Sequence, residues 1–218
     1  MGLYQVAAIL GFSIVFAAGI GLVRMKNSLT AYQPFLYIVW LACINHPLSL
    51  IMVYYFESNT ANGNIYVLLE SLLYIWLFRN WGLFKKNQII APMLFILLLS
   101  IWVVDNIILH HLKTANAGFR IASSFILIFL AIEQLIALIT TAKRDLLYNS
   151  SFIICCGMLI YFSYKAFIEV FFLMKISSSI TLITNVYALL VYINCFVNLI
   201  FAWAVLWIPK KQKSTLLL

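Results

Sequence analysis

The apolar stretch "MLIYFSYKAFIEVFFLM", residues 158–174, contains two side chains of opposite charge, Lys165 and Glu169. Residues four apart lie on the same face of an α-helix, so Tyr161, Lys165 and Glu169 form one stripe. A charge inside an apolar helix is costly unless it faces a partner or a polar cavity. The stretch therefore indicates either an ion pair within one helix or part of a polar site.

The composition of the chain defines the surroundings of this stretch. Of the 218 residues, 65% are hydrophobic and 9% are charged, whereas about a quarter of an ordinary soluble domain is charged. A water-soluble core cannot bury this much apolar surface, so we expect a lipid bilayer around the chain. Little length remains for a soluble domain. Chemistry or recognition must therefore take place inside the helix bundle or on short loops.

Apolar runs separated by polar breaks predict an all-α membrane bundle, a single domain of seven transmembrane helices. The predicted ranges are 4–23, 33–55, 65–84, 89–110, 119–140, 151–174 and 184–208. Lysine and arginine collect on alternate connections, and by the positive-inside rule these connections are cytoplasmic. The N-terminus is thus predicted outside and the C-terminus inside. The net charge of +8 then reflects the basic cytoplasmic connections and does not indicate that the protein binds nucleic acid.

Polar residues from different predicted helices fall at matching depths. Counted from the outer helix ends at about 1.5 Å per residue, they form layers about 8 Å and about 14 Å deep, and a third layer nearer the cytoplasm. The outer layer contains Glu70, Asp105 and Glu169, the middle layer His46, Lys165 and Asn194, and the inner layer Arg79, Glu133 and Asn198.

The outer and middle layers predict one ligand-binding cavity that is open to the outside. Its predicted lining is Glu70, Lys165, Glu169, His46, Asp105, Asn194, Tyr66, Tyr74 and Tyr161. Three carboxylates against one lysine give a negative balance, which favours a small cationic or amphoteric ligand. The inner layer predicts a lock in which Arg79 pairs with Glu133 and Asn198 braces the pair. Simpler alternatives stay open, because Lys165 can pair with Glu169 along its own helix and Arg79 can snorkel toward the cytoplasm.

Pro47, in "INHPL", is the only proline well inside a predicted helix. Proline removes a backbone donor and kinks a helix. The neighbouring His46 can change its charge near neutral pH. The pair is consistent with a structural kink or with a hinge at the floor of the cavity.

The sequence contains no strong catalytic motif. A metal-dependent hydrolase needs about three convergent ligands, but His110 and His111 are adjacent and point about 100° apart on a helix. No catalytic residue, metal or cofactor is therefore predicted. An intramembrane lipid hydrolase using Asp105 or Glu133 stays open as an alternative. A transporter or channel for a small cation or amine also stays open, because charges at mid-membrane depth mark translocation paths.

A receptor or sensor is the third class. A ligand in the outward cavity would shift the bundle about Pro47 and the inner lock, and the basic loops would present the change to a cytoplasmic signalling protein. The segments "YVLLESLLYIWLFRNWGLF" and "VYINCFVNLIFAWAVLWIPKKQKSTLLL" resemble uncharacterised seven-span proteins of Bacteroidota-type bacteria that are often encoded beside sensor histidine kinases. The resemblance implies a multi-pass protein of the inner membrane and a histidine kinase as a candidate partner. It names no site residue, and it favours the sensor as the expected function.

Overall fold

The computed structural model describes residues 3–109, 117–141, 145–174 and 179–211. Over these ranges it contains seven helices that are long and apolar enough to cross a membrane, and it has no strand. The helices are α1 (Leu3–Gly11) and α2 (Ile14–Met25), which share the first span, then α3 (Gln33–Phe56), α4 (Thr60–Trp81), α5 (Ile90–Val103), α6 (Ala117–Thr141), α7 (Ser150–Leu173) and α8 (Ile180–Leu206). The predicted all-helical class and the seven long, apolar helices are confirmed.

Helix α4 begins at Thr60, five residues before the start predicted from its apolar run. The polar residues of this added turn face neighbouring helices. Asn64 is buried, and the Asn62 amide donates hydrogen bonds to Asn45 and Ser49 of α3 at 2.9 and 3.2 Å. These polar residues can form part of α4 because their side chains are buried or form hydrogen bonds inside the bundle.

The longer α4 changes the depth of Glu70. The predicted outer layer placed Glu70 about five residues from a helix end, whereas it lies ten residues from Thr60, or about 15 Å along the axis. The depth predicted for Glu70 is therefore wrong. Glu70 instead lies at the level of Lys165, which stands eight residues before the end of α7.

The first span is interrupted at Phe12 and Ser13. Their backbone N–H groups bond to carbonyls three residues earlier, Ile9 and Leu10, at 3.1 and 3.0 Å. The Ala8 carbonyl thereby loses its donor within the helix, and the His46 Nε2 atom lies 2.9 Å from its oxygen. A carbonyl can only accept, so Nε2 carries the proton in this bond.

Neighbouring helices therefore stabilise this interruption. Besides His46 of α3, Asn198 of α8 donates a hydrogen bond to the Ser13 hydroxyl at 2.9 Å. Helix α3 itself runs without interruption through Pro47. The interrupted segment thus lies in the first span, and Pro47 as a hinge stays a prediction.

Small residues of the first span pack within the chain. Ala17 is fully buried, and a methyl group added at Gly21 would lie 3.3 Å from a Leu36 methyl carbon of α3. Gly19 differs, because no heavy atom lies within 4 Å of the same added group. The close approach of α2 and α3 therefore uses Gly21, whereas a methyl group at Gly19 would contact no other described part of the chain.

The end of the bundle where α2, α4 and α8 finish is called the basic end here, and it carries Arg24, Lys26, Lys85, Lys86, Lys210 and Lys211. The segment after α8 pairs there with the loop after α2. The Leu29 N–H donates to the Pro209 carbonyl at 2.9 Å, and the Lys211 N–H donates to the Asn27 carbonyl at 2.7 Å. These bonds tie the first loop to the last described segment of the chain.

Helix α7 is fixed to its neighbours at the same end. The Ser150 hydroxyl donates to the Ala204 carbonyl of α8 at 2.8 Å, and the Ser151 and Tyr32 hydroxyls lie 2.7 Å apart. Asn149 caps the helix, because its side-chain oxygen accepts the N–H groups of Ser151 and Phe152. The start of α7 is therefore held by both capping and tertiary hydrogen bonds.

Replacing Asn149 with alanine is expected to lower the free energy of unfolding by about 1 kcal/mol, because two N–H groups lose their acceptor. Thermal unfolding of the purified protein in detergent measures the change. The control is Asn149→Asp, which keeps a capping oxygen and should unfold at nearly the native temperature. An alanine variant as stable as the native protein would show that the cap contributes nothing.

Candidate functional site

A charged pair joins α7 to α4 in the middle of the bundle. The Lys165 Nζ atom donates to Glu70 Oε2 at 3.2 Å, and the two side chains are 11% and 4% exposed. The Tyr66 hydroxyl donates to the other oxygen of Glu70 at 3.0 Å. Lys165 also lies over the Tyr161 ring, 5.1 Å from its centre. Lys165 is thus paired across helices, and its pairing with Glu169 along α7 is not what the structure shows.

A second pair joins α7 to α6. Arg120 Nη1 lies 3.2 Å from Glu169 Oε1, and Arg120 Nη2 donates to the Asn64 side-chain oxygen at 3.0 Å. The Arg120 Nε atom is buried and has no hydrogen-bond acceptor in the part of the chain that the structure describes. One cation from α6 therefore contacts α7 and α4 together.

Arg120 was missed in the sequence analysis. It lies inside the predicted helix 119–140, with Ser123 and Ser124 one turn later, which is the signal that could have found it. In the structure both serine hydroxyls donate to the Arg120 carbonyl, at 3.2 and 2.7 Å. The sequence pattern assigned Arg120 no role, although its side chain points inward to Glu169 and Asn64.

Asp105 belongs to a different part of the molecule. It lies in the π-helical turn Val104–Leu109 that follows α5, and its Oδ2 atom accepts the Phe119 N–H at 2.7 Å. A carboxylate at the first turn of α6 satisfies a free N–H and compensates the helix dipole. The prediction that Asp105 lines the cavity is therefore wrong. Without Asp105 and with Arg120, the predicted negative balance is also wrong, because two cations face two carboxylates.

Three adjoining compartments form the cavity of this bundle. The central compartment has a volume of about 190 Å³. Of the residues predicted to line the cavity, it is lined by His46, Tyr66, Glu70, Tyr74, Tyr161 and Asn194. The charged compartment, about 220 Å³, contains Arg120, Lys165 and Glu169. The apolar compartment, about 450 Å³, lies between α1, α3 and α8. Of the nine predicted lining residues, the structure brings together all except Asp105.

Asn194 of α8 is the residue at which the compartments meet. It lines the central, apolar and charged compartments and is half-buried. Among the described residues its side chain has no hydrogen-bond partner. An amide in this position is available to a ligand from either polar compartment, since it can both donate and accept.

The predicted inner lock is wrong. Arg79 and Glu133 are both exposed, and no ion pair joins them within the described ranges. Arg79 lies in the last turn of α4, where a long basic side chain can reach outward and complement the helix C-terminus. Asn198 is buried, but it lines the central compartment and bonds to Ser13.

The two carboxylates considered for an intramembrane hydrolase line none of the three compartments. Over the described ranges, no group of three or more His, Cys, Asp or Glu side chains could hold a metal ion, and His110 and His111 lie outside these ranges. Asp105 caps a helix, and Glu133 is exposed. No protein-family model, no curated protein and no solved structure matches this chain.

Proposed function

We propose that this protein is a receptor-like membrane protein that binds a small zwitterionic ligand in the cavity. The observation that carries the proposal is the two interhelical ion pairs, Lys165–Glu70 and Arg120–Glu169, beside one polar cavity. A buried ion pair gives up hydration and commonly stabilises a fold no more than apolar packing does. Two such pairs at one cavity are explained if their charges serve binding.

The balance of charge selects the class of ligand. A ligand with both charges can place its anion beside Lys165 and Arg120 and its cation beside Glu70, so no charge is left unpaired. A simple cation would displace Lys165 from Glu70 and leave the lysine without a partner, which is costly in a buried site. Of the cationic and amphoteric ligands expected from the sequence, the amphoteric one is therefore favoured.

Helix α7 connects the cavity with the basic end. It carries Lys165 and Glu169 at the cavity, and its first residues bond to Tyr32 and Ala204. A ligand that separates the two ion pairs would move α7 against α4 and α6 and change those contacts. In this proposal the basic end is cytoplasmic by the positive-inside rule, in a bacterial inner membrane, and the partner is a signalling protein such as a histidine kinase.

A transporter of the same ligand is the second candidate. The interruption at Phe12 and Ser13 favours it, because discontinuous helices form the binding sites of many transporters. Tracer uptake into proteoliposomes without any partner protein separates the two candidates. Uptake above that of empty vesicles would favour transport, and its absence together with ligand binding would favour the receptor.

Replacing Asn194 with leucine is expected to abolish binding without unfolding the bundle, since this amide bonds to no described residue. The probe is glycerophosphocholine, a zwitterion, compared with its two hydrolysis products, the cation choline and the anion glycerol phosphate. At about 100 times its Kd, the zwitterion should stabilise the native protein by about 2.7 kcal/mol, measured as a rise in the unfolding temperature in detergent. Neither product alone should reproduce this rise.

The matched control is Asn185→Leu, an exposed asparagine of the same helix, which should keep the full rise. An equal rise in the unfolding temperature with choline alone would contradict the proposal that the ligand is a zwitterion. A rise retained in Asn194→Leu, or no rise of the native protein with glycerophosphocholine or with glycine betaine as a second zwitterion, would contradict the site.

A further inference from the structure

We infer that the ligand is a single-chain amphiphile whose zwitterionic head occupies the central and charged compartments and whose acyl chain occupies the apolar compartment. The position of the head rests on the proposed function. The position of the chain rests on the apolar compartment, which the head does not need. The two parts of the inference can therefore fail separately.

The apolar compartment has the size and lining of a site for a hydrocarbon chain. Its volume of about 450 Å³ falls within the range of small-molecule sites, about 300–1,000 Å³. Its apolar lining residues are Ala7, Ala8, Leu50, Val53, Leu190 and Val191. Water beside these apolar residues would form few hydrogen bonds, and an apolar wall without a partner forfeits dispersion contacts.

Small residues of α1 create this space. Ala7 and Ala8 are half-buried and border the compartment, although small residues of membrane helices usually serve close helix packing. Residues Ala17 and Gly21 of α2 follow that usual rule. The small residues of α2 thus pack against other helices, whereas those of α1 border an open space that a ligand can occupy.

The apolar compartment shares lining residues with both polar ones. His46, Ser49 and Asn194 line both the apolar and the central compartment, and Asn194 and Asn59 line both the apolar and the charged compartment. A molecule that fills all three compartments must have a polar part with one positive and one negative charge. It must also have an apolar part that extends from the shared residues into the apolar compartment. A fatty acid would supply the chain but would add one net negative charge beside Glu70.

The experiment uses the full chain in nanodiscs of phosphatidylglycerol and a lysophosphatidylcholine with a diazirine at the end of its chain. After illumination, adducts are located by mass spectrometry. We expect them in 7–11 of α1 and 187–191 of α8, with the yield lowered about fivefold by excess unlabelled lysophosphatidylcholine and not by lauric acid. Val191→Trp, which fills the apolar compartment, should lower the yield by a similar factor.

The matched control is Leu189→Trp, an exposed position of the same helix, which should leave the yield unchanged. Adducts scattered over exposed helix faces, with equal yields in both variants, would overturn the chain site and show only bilayer contact. Competition by lauric acid as strong as by lysophosphatidylcholine would overturn the zwitterionic head. Val191→Trp should still be stabilised by glycerophosphocholine, so failure of the chain site is distinguishable from failure of the proposed function.

Discussion

Replacing Lys165 with methionine is expected to lower the free energy of unfolding by about 3–5 kcal/mol, because it leaves the Glu70 carboxylate buried without its cation. Glu70 is 4% exposed in its side chain, so water reaches little of the carboxylate. The Tyr66 hydroxyl remains as a donor to one oxygen only. Equilibrium unfolding in mixed micelles of a mild and a denaturing detergent measures the loss.

The double variant Lys165→Met/Glu70→Gln separates a lost charge pair from lost packing. It removes both charges and keeps an acceptor for Tyr66, so most of the lost stability should return, since neutral replacements of buried pairs are often tolerated. A single variant that loses less than about 1 kcal/mol would contradict a buried pair. So would a double variant that is no more stable than the single one.

Replacing Gly11 with alanine is expected to have the second large effect. The added methyl group would overlap with the His46 imidazole, so the ring must leave the Ala8 carbonyl and its edge contact with Phe12, whose ring centre lies 4.7 Å away. Overpacking and an unsatisfied carbonyl together should lower the free energy of unfolding by about 2–4 kcal/mol. Thermal unfolding in detergent measures the change.

Gly19→Ala is the control for this prediction, because within the described ranges the same substitution in the same span meets no heavy atom of another segment within 4 Å. Its stability should stay within about 0.5 kcal/mol of that of the native protein. If both alanine variants unfold at the same temperature, the contact of His46 with the interrupted segment does not stabilise the fold.

The spans could be predicted because apolar runs of about 20 residues have one common explanation, a helix in lipid. Counting residues along each helix also brought Lys165, Asn194 and His46 to one level. Depth, however, does not give direction around the helix axis. Arg79 and Glu133 were placed in one layer by depth, yet both side chains are exposed on the outside of the bundle, since packing alone decides which face turns inward.

The partners of the charges could not be predicted for the same reason. Glu70 was placed at the wrong depth because the asparagines before it form helix by bonding to α3, a contact between distant segments. Arg120 was not assigned to the site, because only the folded chain shows that Glu169 and Asn64 lie within its reach. The interruption of the first span contains no proline, and it depends on His46 and Asn198 from other helices.

The central claim is that side chains from separate helices line one polar, accessible cavity, and thiol labelling tests it most directly. Single cysteines are placed in a background that lacks Cys43, Cys155, Cys156 and Cys195, and a charged, membrane-impermeant reagent is added to the N-terminal side of cells or vesicles. The result expected is rapid labelling of Asn194→Cys and none of Leu189→Cys, which lies on the exposed face of the same helix. Labelling of Leu189→Cys with Asn194→Cys inert, or no labelling of either, would contradict the cavity.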